Sequence, residues 1–396
     1  MLSVADATRA VLGRVKRLDD DEVELDAARG RILAETIHAK RALPGFDNSA
    51  MDGYALRSSD APGTLAIAGV VAAGEPFEGS VPAGSCVRIF TGAPVPADCD
   101  AVVIQEDVTV VDGRVTVPAA RVGENVRRAG EDFVIGEVAI TAGTRLGAWH
   151  IGVLAALGVA TVPVVRAPRV AIIATGDELV DVETTPGPGQ LVDSSAHALA
   201  AAITEAGGVA SYLGIARDDL AAVTAMLQDG LHFDAIITTG GVSVGDKDYM
   251  HAAMKSAGIA LELYKVAMRP GKPFSFGVAA TGTPVFGLPG NPVSTLVAYE
   301  LFVRPALLAL QGAAVVERPR VPVHLATTQK KNEGRAYFLR AKIVREGERL
   351  VAHIHPKQGS AMLSALVECN ALVQIPAESM HVDAGATATA ILFAAV

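Results

Sequence analysis

Residues 235–248 read Ala-Ile-Ile-Thr-Thr-Gly-Gly-Val-Ser-Val-Gly-Asp-Lys-Asp. A short β-branched run ends in paired glycines and a polar turn, and a helix-compatible stretch follows near Tyr249–Ala257. That pattern is a buried strand emptying into a glycine-rich loop at the start of a helix. Glycines at 240 and 241 let backbone N–H groups approach an anion, and the helix N-terminus adds partial positive charge. The spacing is neither the phosphate-binding GxxxxGK[ST] nor the dinucleotide GxGxxG. A tight strand-to-helix turn alone would also place glycines there. Ser243 can hydrogen-bond a ligand, whereas Asp248 repels a phosphate unless a cation lies between them.

Outward from this loop, the same punctuation recurs. Arg169–Thr175 is an apolar run followed by Thr175-Gly176-Asp177-Glu178, and Thr283–Leu288 runs into Pro289-Gly290-Asn291-Pro292-Val293-Ser294. Helical periods cover 194–206, 220–228 and 293–310. Alternating strands and helices predict an α/β unit with a parallel sheet covered on both faces. Ligands of such sheets bind outside the carboxyl ends of the strands, where these loops lie. Asn291 suits the N-cap and Pro292 the first helical position; capping alone explains both. Only their place at a strand end, beside Pro289, makes them ligand candidates. Ser294 falls in the first turn, where a hydroxyl would face a bound anion. Between the last two strands, Lys265-Val-Ala-Met-Arg269-Pro-Gly-Lys272-Pro273 sets two cations in a proline-bracketed loop. This is the pattern of a rigid oxyanion clamp, Arg gripping two oxygens and Lys acting as a point charge.

Composition bounds what this site can serve. The chain has 396 residues, half of them hydrophobic, which suits two to four domains of about 100–200 residues each. A net charge of −9 excludes a general affinity for nucleic acid or anionic membrane, so any anion site is a local concentration of positive charge. Cys86, Cys99 and Cys369 form no CxxC pair, so no zinc site or disulfide framework is indicated, and a reduced cytoplasm is expected. The N-terminus lacks the layout of a signal peptide. Leu146–Val165 is uncharged and long enough to span a bilayer. Its glycines, Pro163 and β-branched second half instead predict a helix over 147–157, ended by Gly158, and a strand over 161–165.

The remaining segments differ in kind. Apolar residues at helical spacing over 3–18, with Ser3 as N-cap, predict an N-terminal helix. Residues 44–133 are rich in Gly and Pro, with short alternating runs and an Asp112-Gly113 hairpin turn, and read as a small β domain. After about residue 313, five strand-like runs (321–327, 337–344, 350–355, 371–375 and 387–392) predict a closed barrel or a sandwich. His353 and His355 alternate on one of these strands without a third metal ligand at matching spacing. Asp52, Asp132 and Glu178 sit in separate glycine-containing turns. Mg²⁺ on a nucleotide phosphate needs only one or two protein carboxylates.

Taken in order, Asp-Asn-Ser-Ala-Met-Asp-Gly-Tyr-Ala (47–55), Ile-Phe-Thr-Gly-Ala (89–93), Arg-Arg-Ala-Gly-Glu-Asp (127–132), Thr-Gly-Asp-Glu-Leu (175–179), Gly-Gly-Val-Ser-Val-Gly (240–245), Arg-Pro-Gly-Lys-Pro-Phe (269–274) and Leu-Pro-Gly-Asn-Pro-Val-Ser (288–294) resemble the molybdopterin molybdenumtransferase family, the bacterial MoeA proteins and the gephyrin E domain. The resemblance spans the chain. It implies a multidomain α/β plus β fold: an elongated N-terminal domain from 1–43 and 134–167, an inserted β-rich domain at 44–133, a MogA-like pterin-binding α/β domain at 168–313, and a C-terminal β barrel at 314–396. It implies a cytoplasmic homodimer whose cleft lies between the α/β domain of one subunit and the inserted domain of the other.

The implied reaction inserts molybdate into adenylylated molybdopterin and releases AMP, with Mg²⁺ as cofactor. Asp52, Asp132, Glu178, Asp248, Lys265, Arg269 and Lys272 would be catalytic. Thr91, Gly240, Gly241, Ser243, Pro289, Asn291, Pro292, Ser294, Arg340 and Ser360 would bind substrate, and Asp52, Glu178 and Asp248 would hold the metal. Other molybdenum cofactor biosynthesis proteins are expected partners; nucleic acid and membrane are not. Two departures stand out: Arg269 where the family often has Lys, and Asp193-Ser194-Ser195 where Asp-Ser-Asn is usual. Adenylyl transfer to molybdopterin, which the same α/β fold serves, and a non-catalytic dimeric scaffold are the competing readings.

Overall fold

The computed structural model describes residues 1–241, 249–332 and 334–394. Ser3 caps helix α1 (Val4–Leu12) by accepting the Asp6 N–H. The periodicity through Leu18 predicted a longer helix, but the chain turns at Gly13, whose N–H closes back on the Arg9 and Val11 carbonyls. Val15 and Leu18 still pack on the main core, as non-helical chain. Asp20–Glu24 then pairs antiparallel with Thr161–Val165, and Ile37–His38 pairs with the strand Val138–Ile140. Segments before and after the inserted β region are thereby joined, around Leu33, Leu146, Leu154 and Val164. Helix α2 (Ala148–Ala156) belongs to this unit, and Gly158 follows it with a positive φ of 76°.

Between those segments lies a six-stranded mixed sheet in the order 101–104, 53–56, 85–89, 63–71, 114–117, 109–111. The predicted hairpin is present, with Asp112 and Gly113 both at positive φ, as a two-residue turn between strands requires. The sheet is packed on both faces: Leu56, Leu65 and Val115 fill one small core, and Val71, Val87 and Ile89 the other.

The α/β unit carries strands β1 (Arg169–Thr175), β2 (Val209–Ala216), β3 (Ala235–Thr239), β4 (Ile259–Tyr264), β5 (Ser275–Ala279) and β6 (Pro284–Leu288). Their order is β2-β1-β3-β6-β5-β4. β1, β2, β3 and β6 are parallel, but β5 runs antiparallel to both neighbours, so the sheet is mixed rather than wholly parallel. Alternate residues of β1 face opposite layers. Val170 and Ile172 join helix α3 (Ser194–Glu205) and the long helix that begins at Pro292. Ala171 and Ile173 join α4 (Leu220–Gly230) and α5 (Tyr249–Ser256).

That long helix is not uniform. α6 (Pro292–Ala298) widens into a π turn at Tyr299–Val303 before α7 (Arg304–Leu310). Pro305 has no N–H to return to the carbonyl a turn earlier, and the Thr8 hydroxyl meets the Leu301 carbonyl at 3.4 Å instead. Pro292–Leu310 is the helix long and apolar enough to cross a bilayer among the described residues, and 78% of it is buried inside the protein. The uncharged stretch 146–165 is a helix and a strand.

The C-terminal strands β7 (Arg320–Leu325), β8 (Ala336–Glu346), β9 (Arg349–Ile354), β10 (Ala371–Ile375) and β11 (Thr387–Leu392) close on themselves in the order β8-β9-β7-β11-β10-β8. This is a barrel, not a sandwich. Met268–Arg269 pairs with the start of β8, tying the basic turn of the α/β unit to the barrel.

Candidate functional site

The carboxyl ends of β1, β3 and β6 open on a cavity of about 680 Å³. Its floor is knitted by the strand ends: the Thr175 hydroxyl donates to the Thr239 carbonyl at 3.0 Å, and the Gly240 N–H donates to the Leu288 carbonyl at 3.1 Å. Gly240 has a positive φ of 84°, and a Cβ there would lie 2.4 Å from the Thr175 carbonyl oxygen. Glycine at 240 is thus required both by its backbone conformation and by the close approach of two strands.

Of the residues singled out in the sequence, Glu178, Gly240, Gly241, Pro289, Asn291 and Pro292 line this cavity together. Asn291 is the N-cap of α6, yet its side chain makes no capping bond. The Val293 N–H is satisfied by the Ser360 carbonyl at 3.0 Å, which docks the barrel loop carrying Ser360 onto the start of α6. Ser294 is 5% exposed, buried rather than turned toward open space. Ser243 and Asp248 lie outside the described residues.

Polar residues that were not sequence candidates also line the cavity, among them Asp193, Ser195 and Asp218. Asp193 caps α3 through one oxygen and accepts the Tyr212 hydroxyl at 3.0 Å with the other. Asp218 follows β2, a strand that the sequence pattern did not show. Ala210-Ser-Tyr-Leu-Gly-Ile215 has no clean alternation, and the helix start at Leu220 was the available signal.

The basic turn flanks the cavity through Pro273. Lys272 is partly buried. Lys265 sits at a positive φ of 65°. Arg269 points toward the barrel, where it donates to the Tyr337 hydroxyl at 3.2 Å with its guanidinium 5.2 Å from the ring centre. Arg340, on β8, is the largest wholly buried side chain of the protein's described residues. Its Nη2 donates to the Lys357 and Gly359 carbonyls at 2.9 and 3.1 Å, while Nε and Nη1 have no partner. Burial disfavours the charged form and holds its pKa below the usual guanidinium value. A buried cation with two idle donors is a charge left without full compensation. It lies behind the 357–360 loop, whose continuation through Ala361 and Leu363 closes the cavity.

Asp52, Thr91 and Asp132 line no part of this cavity. On the inserted sheet, Asp52 Oδ1 accepts both the backbone N–H and the hydroxyl of Thr91, at 2.7 Å each. Those two bonds, with a smaller contribution from Arg88, hold the carboxyl below its ordinary pKa against a slight opposing effect of burial. Asp132 is exposed. Among the described residues, no group of three or more His, Cys, Asp or Glu side chains is placed to hold a metal ion. His353 and His355 pair instead with Glu346 and Glu368.

Comparison with known proteins matches this architecture end to end. The MoeA N-terminal region (domain I and II) matches residues 2–158, the probable molybdopterin binding domain residues 171–309, and the MoeA C-terminal region (domain IV) residues 322–393. A molybdopterin molybdenumtransferase of Haemophilus influenzae is 37% identical, with 93% of this chain and 92% of that protein covered. Molybdopterin molybdenumtransferase 2 of Mycobacterium tuberculosis is 36% identical, with 97% and 98% covered. A crystal structure of the molybdopterin biosynthesis MoeA protein from Pyrococcus horikoshii superposes with a TM-score of 0.86 at 29% identity, covering 99% of this chain and 100% of that one. With the relatives matching over nearly their whole length, and with the α/β unit, inserted sheet and terminal barrel all present, the chain belongs to the molybdopterin molybdenumtransferase family, the transferases of molybdenum cofactor biosynthesis.

Proposed function

We propose that the strand-end cavity holds adenylylated molybdopterin and that molybdate is bound between Lys272 and Arg340, so that insertion of molybdate at the dithiolene accompanies cleavage of the pterin–AMP phosphoanhydride. The observation that carries this reading is Arg340, a wholly buried cation whose Nε and Nη1 await acceptors beside the loop that closes the cavity. A tetrahedral dianion supplies such acceptors and offsets the desolvated charge. The Gly241 amide and the first turn of α6 face the nucleotide phosphates, with Pro289, Asn291 and Pro292 shaping the wall. Ser294 and Ser360 brace that turn. Positioning and charge neutralisation do most of the work, as in phosphoryl transfer generally.

Mg²⁺ enters this reading as the counter-ion of the nucleotide phosphates. Glu178 folds its carboxylate over Gly176, and Mg²⁺ takes one or two carboxylates plus water and phosphate oxygens. Glu178, with Asp248 and Asp52, would hold it, and its chemistry would be to neutralise phosphate charge. Lys265 and Lys272 supply the remaining positive field, with Arg269 turned to the barrel side of the same turn.

The protein acts as a cytoplasmic homodimer in this reading, with Asp52, Thr91 and Asp132 of one subunit completing the cavity of the other. Two observations support it. No residue of 44–133 lines the cavity of its own chain. Helix α2 also presents an apolar face to solvent, with Trp149 88% exposed beside Ala148, Gly152 and Ala155. Mixing an Asp52→Ala chain with a Glu178→Ala chain tests it. Mixed dimers contain one intact composite site and regain AMP release that neither variant has alone; no recovery contradicts a shared site.

A further inference from the structure

A second cavity, about 260 Å³, opens at the mouth of the barrel on the other side of the basic turn. Arg269, Lys330 and Lys331 line it with Tyr337, Gln329 and Gln358, and among the described residues no carboxylate lines it. In a chain of net charge −9, three cations around one small cavity create a strongly positive local field. Tyr337 organises them. Its ring is 5.2 Å from the Arg269 guanidinium and 5.4 Å from the Lys331 ammonium. Its oxygen accepts from Arg269 at 3.2 Å. Lys331 is fixed further by donating to the Ala377 carbonyl at 2.9 Å. Partial burial tends to raise the Tyr337 pKa, but hydrogen bonds from Arg269 and the Asn332 backbone outweigh it and leave the phenol more acidic than usual. Gln358 is pinned to the Arg340 backbone in both directions, at 3.2 and 2.9 Å.

We propose that this barrel-mouth cavity binds a tetrahedral dianion, and that it receives molybdate before the ion passes to the inner cleft. The ring of Tyr337 is already engaged by two cations, so it offers little to a stacking base, and the occupant is an inorganic oxyanion rather than a nucleotide. The volume holds such an ion with several waters, each needing about 30 Å³. Position supplies the second half of the inference. Arg269 and Pro270 line this cavity and Pro273 lines the strand-end cavity; Gln358 lines one and Ala361 the other. The 269–273 turn and the 358–361 loop thus form the wall between them. Lys272 and Ser360 lie within that wall, and Arg340 anchors its loop.

The inference rests on the inner cleft being the site of molybdate insertion only for the direction of transfer, because binding is read without turnover. Equilibrium dialysis with molybdate alone is compared for the wild-type chain and a Lys330→Gln/Lys331→Gln variant whose thermal unfolding is unchanged. Loss of two charges at the cavity is expected to weaken molybdate binding at least about tenfold. Sulfate competes with molybdate in the wild type, while nitrate, planar and singly charged, does not. The KM for molybdate in AMP release rises with kcat unchanged, and Lys330→Arg/Lys331→Arg restores it. Equal molybdate binding by the wild type and the Gln variant overturns the proposal, as does an indifferent response to sulfate. A loss of kcat at saturating molybdate, with KM unmoved, overturns the receiving role.

Discussion

Thr91 donates its backbone N–H and its hydroxyl to the same oxygen of Asp52, each at 2.7 Å. Asp52 is thus held ionised by bonds to one oxygen, and its other oxygen lies outside them. Thr91→Val removes one of the two bonds and is expected to raise the Asp52 pKa toward the ordinary carboxylate value of about 3.9. The sign follows from linkage. A carboxyl depressed in the folded state contributes stability above its unfolded pKa and loses it as pH falls through the folded value. The variant should therefore be less stable than the wild type near neutrality, and the difference should vanish as pH falls below the folded-state pKa. Carbon-detected NMR titration of Asp52 checks the shift directly.

Gly240 and Gly290 make a matched pair. Gly240 has a positive φ and a Cβ there would meet the Thr175 carbonyl at 2.4 Å, whereas one at 290 meets only the Gly240 backbone, at 3.5 Å or more. Gly240→Ala is expected to cost about 2 kcal/mol or more of folding stability. Gly290→Ala should be within about 1 kcal/mol of wild type. Chemical denaturation of the two variants side by side distinguishes the crowded strand end from the open one.

Much of this architecture was legible in the sequence because it rests on backbone requirements. Glycine at 240, the Asp112-Gly113 turn and the Asn291-Pro292 helix start are local, so residue type reveals them. Charge and burial in tertiary context are less visible. Arg340 sits in a strand with nothing local to show that it is fully buried or that two of its donors lack partners. β2 escaped because its residues are half-buried without alternation and Gly214 interrupts them, and Asp218 escaped with it. Pro305 marks the π turn locally, but the Thr8 hydroxyl that meets the freed Leu301 carbonyl comes from far away in the chain. Arg269 resembled a clamp for the inner anion, yet its guanidinium engages Tyr337 in the barrel.

Arg340→Lys keeps the charge but loses the planar guanidinium and its two idle donors, Nε and Nη1. The expected result is a folded protein whose KM for molybdate rises about tenfold or more. Arg340→Ala should also lose about 2–4 kcal/mol of stability, through an internal cavity and the loss of two hydrogen bonds. Steady-state kinetics with varied molybdate, together with thermal melting, separates the two effects.

Glu300 receives Arg318 in a bidentate pair, 2.9 Å at each oxygen, and Arg318 also donates to the Phe393 carbonyl. This joins the π turn to the end of the barrel. Both side chains are mostly shielded, at 15% and 18% exposure. Glu300→Gln should cost about 2–3 kcal/mol by leaving the guanidinium short of its partner. Loosened docking of the barrel should appear as faster amide exchange in β11 than in β3, read by hydrogen–deuterium exchange.

The most direct test of the account is AMP release from adenylylated molybdopterin, with and without molybdate. The protein should release AMP and form molybdenum cofactor only when molybdate is supplied, and Glu178→Ala and Lys272→Ala should each lower that rate at least about a hundredfold. AMP attached to molybdopterin from ATP, or no molybdate-dependent release by the folded wild-type protein, would contradict it.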